Sequence, residues 1–296
     1  MRVFLTGATG YIGSVVAEAL QKAGHSVTGL ARSDAAARKL EARGVVVRRG
    51  DLRDAGTLAE AAGEAGGVIH TGLDLGAADT PQVDAAAVAA MLAALDETGR
   101  PFVYTSGVWV LGDTGGRVLD EEAPVNPTPL VAWRPGVEQT VLDAARNGVR
   151  SAVIRPAMVY GRGGGAIADF VRSARQSGAV RFVGDGANRW SFVHVDDLAE
   201  LYLLALTQSP AGYVYLAAAG EAIAVKVVAE AASRAAGAEG RVEAVPLEQA
   251  REKMGLFADA LMLDQQISGD RARRLLGWNP RRPSVLEELA GGAYAG

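Results

Sequence analysis

The stretch TGATGYIG sets Gly7, Gly10 and Gly13 between a first apolar strand and a first helix, the spacing that brings backbone up to a pyrophosphate. One glycine allows the tight turn, a second lets the chain approach the phosphates, and a third lets helix pack closely on strand. The helix N-terminus that follows offers unpaired N–H groups and a positive dipole end. Gly7, Thr9, Gly10, Tyr11, Ile12 and Gly13 are therefore expected to hold a dinucleotide. At the end of the second strand, TGLARSD places Arg32 and Ser33 where an NAD site carries an acid for the ribose hydroxyls. A guanidinium matches a 2′-phosphate in charge and geometry, whereas a carboxylate would repel it, so NADP (or NADPH) is expected over NAD. Asp51 and Leu52, after the third strand, suit the edge of an adenine, and Asp51 suits a helix cap equally well.

Composition narrows the remaining chemistry. The 296 residues contain no cysteine, which removes disulfides, thiolate nucleophiles and cysteine-ligated metals. His25, His70 and His194 have no metal-ligand spacing, so no metal site is expected. The neighbouring carboxylates Asp196 and Asp197 precede a helix and read as caps, not as a hydrolytic pair. A net charge of −4 argues against a nucleic-acid partner. No leader pattern opens the chain and no apolar run reaches the roughly 18 residues of a membrane span. The expectation is a cytoplasmic protein, monomer or homodimer, whose partner is a small-molecule substrate.

The elements that must position these residues follow an alternating rhythm. RVFLTG, HSVTGL, VVVRRGD, GVIHTG, PFVYTS and RSAVIRP read as strands, separated by helical stretches near 12–23, 34–43, 54–64, 82–98 and 135–147. Runs of Val and Ile without polar alternation are what parallel strands buried on both faces look like. The fold class expected is α/β, a doubly wound, Rossmann-type parallel sheet with a smaller, interleaved C-terminal substrate lobe. The dinucleotide-binding part is placed at 1–160 and the lobe mainly at 161–296, with about 190–210 returning to the first part.

TGATGYIG, RRGDLRD, VIHTG, VIRPAMVYG, SFVHVDDLAE and RARRLLGWNP, in that order and over nearly the whole chain, resemble the extended short-chain dehydrogenase/reductases, the epimerase/dehydratase-like branch. The resemblance implies a nicotinamide bound near the ends of the fourth and fifth strands and the RPAMVYG turn. Here those positions are His70, Thr71, Gly72, Thr105, Ser106, Arg155, Pro156 and Tyr160. The family's usual catalysts are a Ser or Thr and a Tyr with a Lys four residues later, the lysine lowering the phenol's pKa.

This chain departs from that pattern. Alignment puts Leu130 at the tyrosine position, Arg134 at the lysine position, and Gly107 at the serine position, with Ser106 just before it. No lysine occurs between Lys39 and Lys226, and no tyrosine has a lysine four residues on. Pro135 disfavours helical geometry at Arg134 and is comfortable as a first helical residue, so the helix is expected to begin at Pro135. A guanidinium keeps its proton to a pH above about 12, so Arg134 suits holding cofactor or substrate and not general acid catalysis. Ser106, Tyr160 and Arg134 are the catalytic candidates; Tyr104 and His194 read more simply as packing residues.

General acid catalysis supplies ~10²–10⁴-fold, whereas positioning can supply of order 7–11 kcal/mol. A reductase can therefore lose the tyrosine if water or a substrate hydroxyl provides the proton. Trp109, Asn188, Arg189 and Trp190 fall on predicted loops and, with Leu130 as a hydrophobic wall, suit a large, flat, oxygenated ligand. The function expected is an NADPH-dependent ketoreductase acting on a bulky, aromatic polyketide or other secondary metabolite, as the resemblance of a tyrosine-less chain to bacterial secondary-metabolite ketoreductases implies. A catalytically silent NADP-binding sensor or scaffold is the alternative. Sugar-nucleotide epimerase or dehydratase chemistry ranks third, because it leans harder on the missing base.

Overall fold

The structure, a computed structural model, describes residues 1–74 and 76–295. The first half alternates as the periodicity predicts: β1 (Arg2–Thr6), α1 (Tyr11–Lys22), β2 (Ser26–Ala31), α2 (Asp34–Glu41), β3 (Val46–Arg49), α3 (Ala55–Glu64), β4 (Gly67–His70), α4 (Thr80–Ala93), β5 (Pro101–Thr105), α5 (Arg134–Asp143) and β6 (Arg150–Pro156). Ser33 caps α2 by accepting from Ala36 N, and Asp54 caps α3 by accepting from Thr57 N. Both short polar side chains satisfy an N–H that the first helical turn leaves unpaired. Helix α4 stops at Ala93, short of the expected residue 98, because the last residues of the stretch fold into a turn around Glu97 at φ 55°. Helix α5 begins at Arg134, one residue before the proline.

The second half supplies β7 (Met158–Gly161), α6 (Gly165–Ser177), β8 (Val180–Val183), β9 (Arg189–Trp190), β10 (Phe192–His194), α7 (Val195–Gln208), β11 (Tyr213–Ala217), β12 (Ile223–Ala224), α8 (Val225–Ala235), β13 (Val242–Val245), α9 (Leu247–Met254), α10 (Leu256–Leu261), α11 (Asp270–Leu276) and α12 (Val285–Ala290). The central sheet has seven strands in the order β11-β6-β5-β4-β1-β2-β3. Every pair in it is parallel. This is the doubly wound α/β arrangement expected. Chain order reverses between β1 and β4, and a crevice opens beyond the carboxyl ends of strands at such a switch.

Side chains alternate across the strands, so each face builds its own core. Val3 and Leu5 of β1 join Val16 and Leu20 of α1 and Leu198, Leu201 and Tyr202 of α7 on one side. Phe4 joins Leu58 of α3, Met91 of α4 and Val141 of α5 on the other. The pairs β7/β10, β8/β13 and β9/β12 form small two-stranded sheets around a separate core that includes Tyr160, Phe182, Trp190 and Phe192.

The caps expected of Asp196 and Asp197 fall instead to His194, whose Nδ1 accepts from Asp196 N at 3.1 Å. Asp197 turns outward from the helix axis and accepts from Arg281 N and Arg282 N at 3.1 and 3.0 Å, pinning the C-terminal segment. Among the described residues, no helix is long and apolar enough to cross a membrane.

Candidate functional site

A cleft of about 440 Å³ lies over the switch point. Gly7, Thr9 and Gly10, then Arg32, Ser33, Lys39, Asp51, Leu52, Thr71, Gly72 and Asp84 are among its walls. Its floor has no room for side chains. Gly7 has φ +70°, and a Cβ there would lie 2.7 Å from Gly72 N. A Cβ on Gly13 would lie 2.2 Å from Gly7 O. Helix α1 has Gly10 as N-cap, with no side-chain cap and no acid in its first turn. Its leading N–H groups are left for an anion. Tyr11 does not enter this floor but bonds outward, donating from its hydroxyl to Gly161 O at 2.7 Å, while Ile12 packs on the core. Close backbone approach and an uncapped helix end fit the pyrophosphate of a dinucleotide.

At one end of the cleft, Arg32 is 69% exposed and only loosely paired, with Nη1 3.6 Å from Asp74 Oδ2. Ser33 Oγ accepts the capping bond at 3.2 Å and keeps its hydrogen to donate. Asp34, the one acid of that helical turn, is drawn away by Arg49 at 2.7 Å. Asp51 accepts from Arg53 N at 3.0 Å and caps no helix.

Beneath the cleft runs a buried polar chain crossing three strands. Gly72 N donates to Thr6 Oγ1 at 3.1 Å, and Thr6 Oγ1 meets His70 Nδ1 at 2.6 Å. His70 Nε2 meets Asp84 Oδ1 at 3.0 Å, and Tyr104 donates to Asp84 Oδ2 at 2.6 Å. The register places Thr6, His70 and Tyr104 side by side. A neutral imidazole carrying its hydrogen on Nε2 satisfies every link, with Thr6 donating to Nδ1. Thr71 donates to Thr6 O at 2.8 Å and ties the same loop.

Near the ends of β5 and β6 stand Arg134 and Arg155, with Leu130 on the turn before α5. Leu130, in a 3-10 turn at Pro129–Val131, packs on the core. Arg134 is buried, donates from Nη1 to Thr105 O at 2.8 Å, and lies 5.0 Å over the Trp133 ring. Arg155 and Glu138 form a buried two-pronged pair at 3.1 and 2.6 Å. Thr105 Oγ1 meets the hydroxyl of Tyr202 at 2.7 Å. Ser106 Oγ is buried with no hydrogen-bond partner, and Pro156 ends β6 opposite Ala217.

The phenols are committed elsewhere. Tyr160 donates to Pro283 O at 2.7 Å and lies edge-on to His194 within the lobe. Burial first, then the nearby Asp197 and Glu288 carboxylates, push its pKa upward. Burial likewise raises Tyr11, Tyr104 and Tyr202. Tyr294 donates to Gly164 O, Tyr215 is bonded to Ser209, and Tyr213 lies at the start of β11, away from the strand ends. Of the proposed substrate contacts, Trp109 makes an edge contact with Phe257 of α10 at 5.5 Å, and α10 packs on the turn carrying Leu130. Trp190 is buried in the lobe, stacked on Phe170. Arg189 lines a different cleft of about 480 Å³ with Glu221, Asp270 and Arg273.

A model of the NAD dependent epimerase/dehydratase family matches residues 3–218. The chain belongs to this family. As a family member it is an NAD(P)-dependent enzyme of the oxidoreductase and epimerase type. It is 35% identical to an uncharacterized protein of Schizosaccharomyces pombe, over 99% of this chain and all of the relative. It is 29% identical to the 4-hydroxy-2-methyl-3-oxo-4-farnesyl-3,4-dihydroquinoline-1-oxide ketoreductase of Stigmatella aurantiaca, over 95% of this chain and 92% of that one. The UDP-glucose 4-epimerase of Thermus thermophilus, solved with NAD, superposes with a TM-score of 0.81 at 23% identity, covering 98% of this chain and 99% of that one. That likeness shows the shared family fold.

Asp84, Glu138, Tyr202 and Phe257 escape a reading of motifs. The signal for two of them is a single acid in an otherwise apolar stretch, PQVDAAAVAA for Asp84 and PGVEQTV for Glu138. An isolated acid facing a core needs a buried partner. Nothing local marks Tyr202 or Phe257.

Proposed function

We propose that this family member is an NADPH-dependent ketoreductase that works without a tyrosine–lysine pair. The observation that supports the reading is that Leu130 packs on the core, Arg134 is held by Thr105 O, and the hydroxyls of Tyr104, Tyr160 and Tyr202 are all bonded within the protein. NADPH, when bound, supplies a hydride from its nicotinamide. Reduction then needs only that the carbonyl be held and that a proton reach oxygen from water or from a hydroxyl of the substrate. Epimerisation and dehydration of sugar nucleotides depend more heavily on a positioned base, and Arg134 keeps its proton.

The preference for NADPH rests on Arg32 and Ser33 at the ribose end of the cleft, where an exposed guanidinium and a hydroxyl donor suit a 2′-phosphate. Asp51 and Leu52 would face the adenine, and Arg134 would anchor ligand from the nicotinamide side. The apolar faces of Trp109, Leu130 and Phe257 favour a bulky, flat carbonyl compound. The Stigmatella relative, a ketoreductase of a farnesylated quinoline oxide by its name, supports a substrate of that kind. Incubation with NADPH and a panel of polycyclic ketones should consume NADPH, and should do so more efficiently than it consumes NADH. Tight NADPH binding with no oxidation by any ketone would favour a silent sensor instead.

A further inference from the structure

We propose that Asp74, which faces Arg32 across the cofactor cleft, sets how strongly the protein prefers NADP over NAD. Its carboxylate takes the ribose hydroxyls of NAD, whereas the 2′-phosphate of NADP must draw Arg32 away from it. This role rests on the proposed NADPH preference and names the residue that limits it.

Both side chains line the cleft, Arg32 from just after β2 and Asp74 from the loop after β4. Arg32 Nη1 stands 3.6 Å from Asp74 Oδ2, so the charges meet without the close, two-pronged geometry of a strong pair. An exposed pair of this kind is held weakly in water and is easily exchanged for a better partner. The other acids of this region are engaged elsewhere. Asp34 pairs with Arg49 and Asp79 with Arg53, each at 2.7 Å. Asp51 accepts from Arg53 N at 3.0 Å and lies 3.6 Å from the same guanidinium. Asp84 is taken by His70 and Tyr104. Asp74 is the acid left facing Arg32. Its other oxygen, Oδ1, accepts from Gly76 N at 3.3 Å, a local turn that keeps the carboxylate on this side of the cleft. Thr80 fastens the backbone of the same turn, donating to Asp74 O and Ala77 O.

An NAD site ordinarily carries its ribose-binding carboxylate at the end of the second strand. Here that strand ends at Ala31, Arg32 follows, and the carboxylate comes from the neighbouring loop instead. With NAD, Asp74 accepts from the ribose while Arg32 stays beside it and balances its charge. With NADP, the 2′-phosphate takes the fork of Arg32, and Asp74 becomes a like charge next to it. One side chain therefore helps the first cofactor and opposes the second.

The test is calorimetric titration with NADP and with NAD, no substrate present, of the wild type, Asp74→Asn, Arg32→Ala and the double variant, all in the full chain. Asp74→Asn keeps the oxygen that Gly76 N needs, so the turn survives while the charge is lost. It should bind NADP about tenfold more tightly and NAD about threefold less tightly. The opposite signs are the signature, because a damaged loop would weaken both cofactors together. With Arg32→Ala in the background, most of the gain for NADP should vanish, since no guanidinium is left to release. A gain of the same size with and without Arg32 would make Asp74 a general repulsive charge and overturn the assignment. Affinities both unchanged, or both weakened, in Asp74→Asn would overturn it as well. Unchanged NADP affinity in Arg32→Ala would overturn the NADPH reading itself, and the role of Asp74 with it.

Discussion

His70 on β4 and Asp84 on α4 meet at 3.0 Å with 1% and 2% of their side chains exposed. The second oxygen of Asp84 takes the hydroxyl of Tyr104, so one buried carboxylate joins the central sheet to a covering helix. Through Thr6 the same chain reaches Gly72 N, on the loop packed against Gly7. The burial of this acid is satisfied only while both donors are present.

Replacing Asp84 by Ala should therefore cost about 3 kcal/mol or more, since hydrogen bonds to a charged group contribute roughly 1.5–3 kcal/mol each. Tyr104→Phe removes one donor and should cost about half as much. Urea unfolding of the two variants checks the order, and equal stabilities for both variants and the wild type would contradict it.

The Arg155–Glu138 pair should behave differently under single and double substitution. Glu138→Leu or Arg155→Met alone strands a buried charge, at about 3–5 kcal/mol. The double variant removes both charges and should recover most of that loss. A double-mutant cycle measures it; additive losses would show that the two side chains act independently.

The central sheet was readable because its signals are local. Val- and Ile-rich strands and the spacing of Gly7, Gly10 and Gly13 are decided within a few residues of chain. The cleft walls that motifs point to, from Gly7 through Arg32 and Asp51 to Gly72, all belong to loops at the strand ends. Asp84, Tyr202 and Phe257 depend on which helix packs on which strand, a tertiary outcome with no short-range mark. The seventh strand shows the same limit. YVYLA is not among the six strands read from the sequence, and only the return of α7 across the sheet places β11 beside β6. The cap at α7 differs from the expected aspartates for a related reason: His194 Nδ1 reaches Asp196 N in the ring orientation that its Nε2 contact with Glu288, a residue 94 positions away, helps to fix.

Acid should weaken the clasp between α1 and the loop after β7. Arg162 bridges Glu18 at 2.6 Å and Asp196 at 2.5 Å. Hydrogen bonds from Arg162 and Lys22 hold the Glu18 pKa down, from 4.5 to about 2. A depressed carboxylate stabilises the fold above its unfolded pKa, and that contribution fades as pH falls from 4.5 toward about 2. Arg162→Ala should accordingly be less stable than wild type at neutral pH, by a margin that salt reduces and that narrows below pH 4.5. A constant difference from neutral pH down to the acid end would contradict the assignment to Glu18.

Cofactor preference should turn on residue 32. Arg32→Glu places a carboxylate where a 2′-phosphate would sit and should weaken NADPH by about 10–100-fold, one factor of ten for each 1.4 kcal/mol of lost charge-assisted bonding. NADH should bind as well as before or better. Calorimetric titration with both cofactors gives the answer, and unchanged NADPH affinity would remove Arg32 from the site.

The most direct test of NADPH-dependent carbonyl reduction without a tyrosine–lysine pair is to follow the hydride itself. NADPH deuterated at C4 of the nicotinamide is incubated with the protein and a polycyclic ketone, and the product is examined by mass spectrometry and NMR. Deuterium on the new carbinol carbon, with full retention of transfer in Tyr160→Phe, is the expected result. Tight NADPH binding with no deuterium in any product, or transfer abolished by Tyr160→Phe in a folded, cofactor-binding protein, would contradict it.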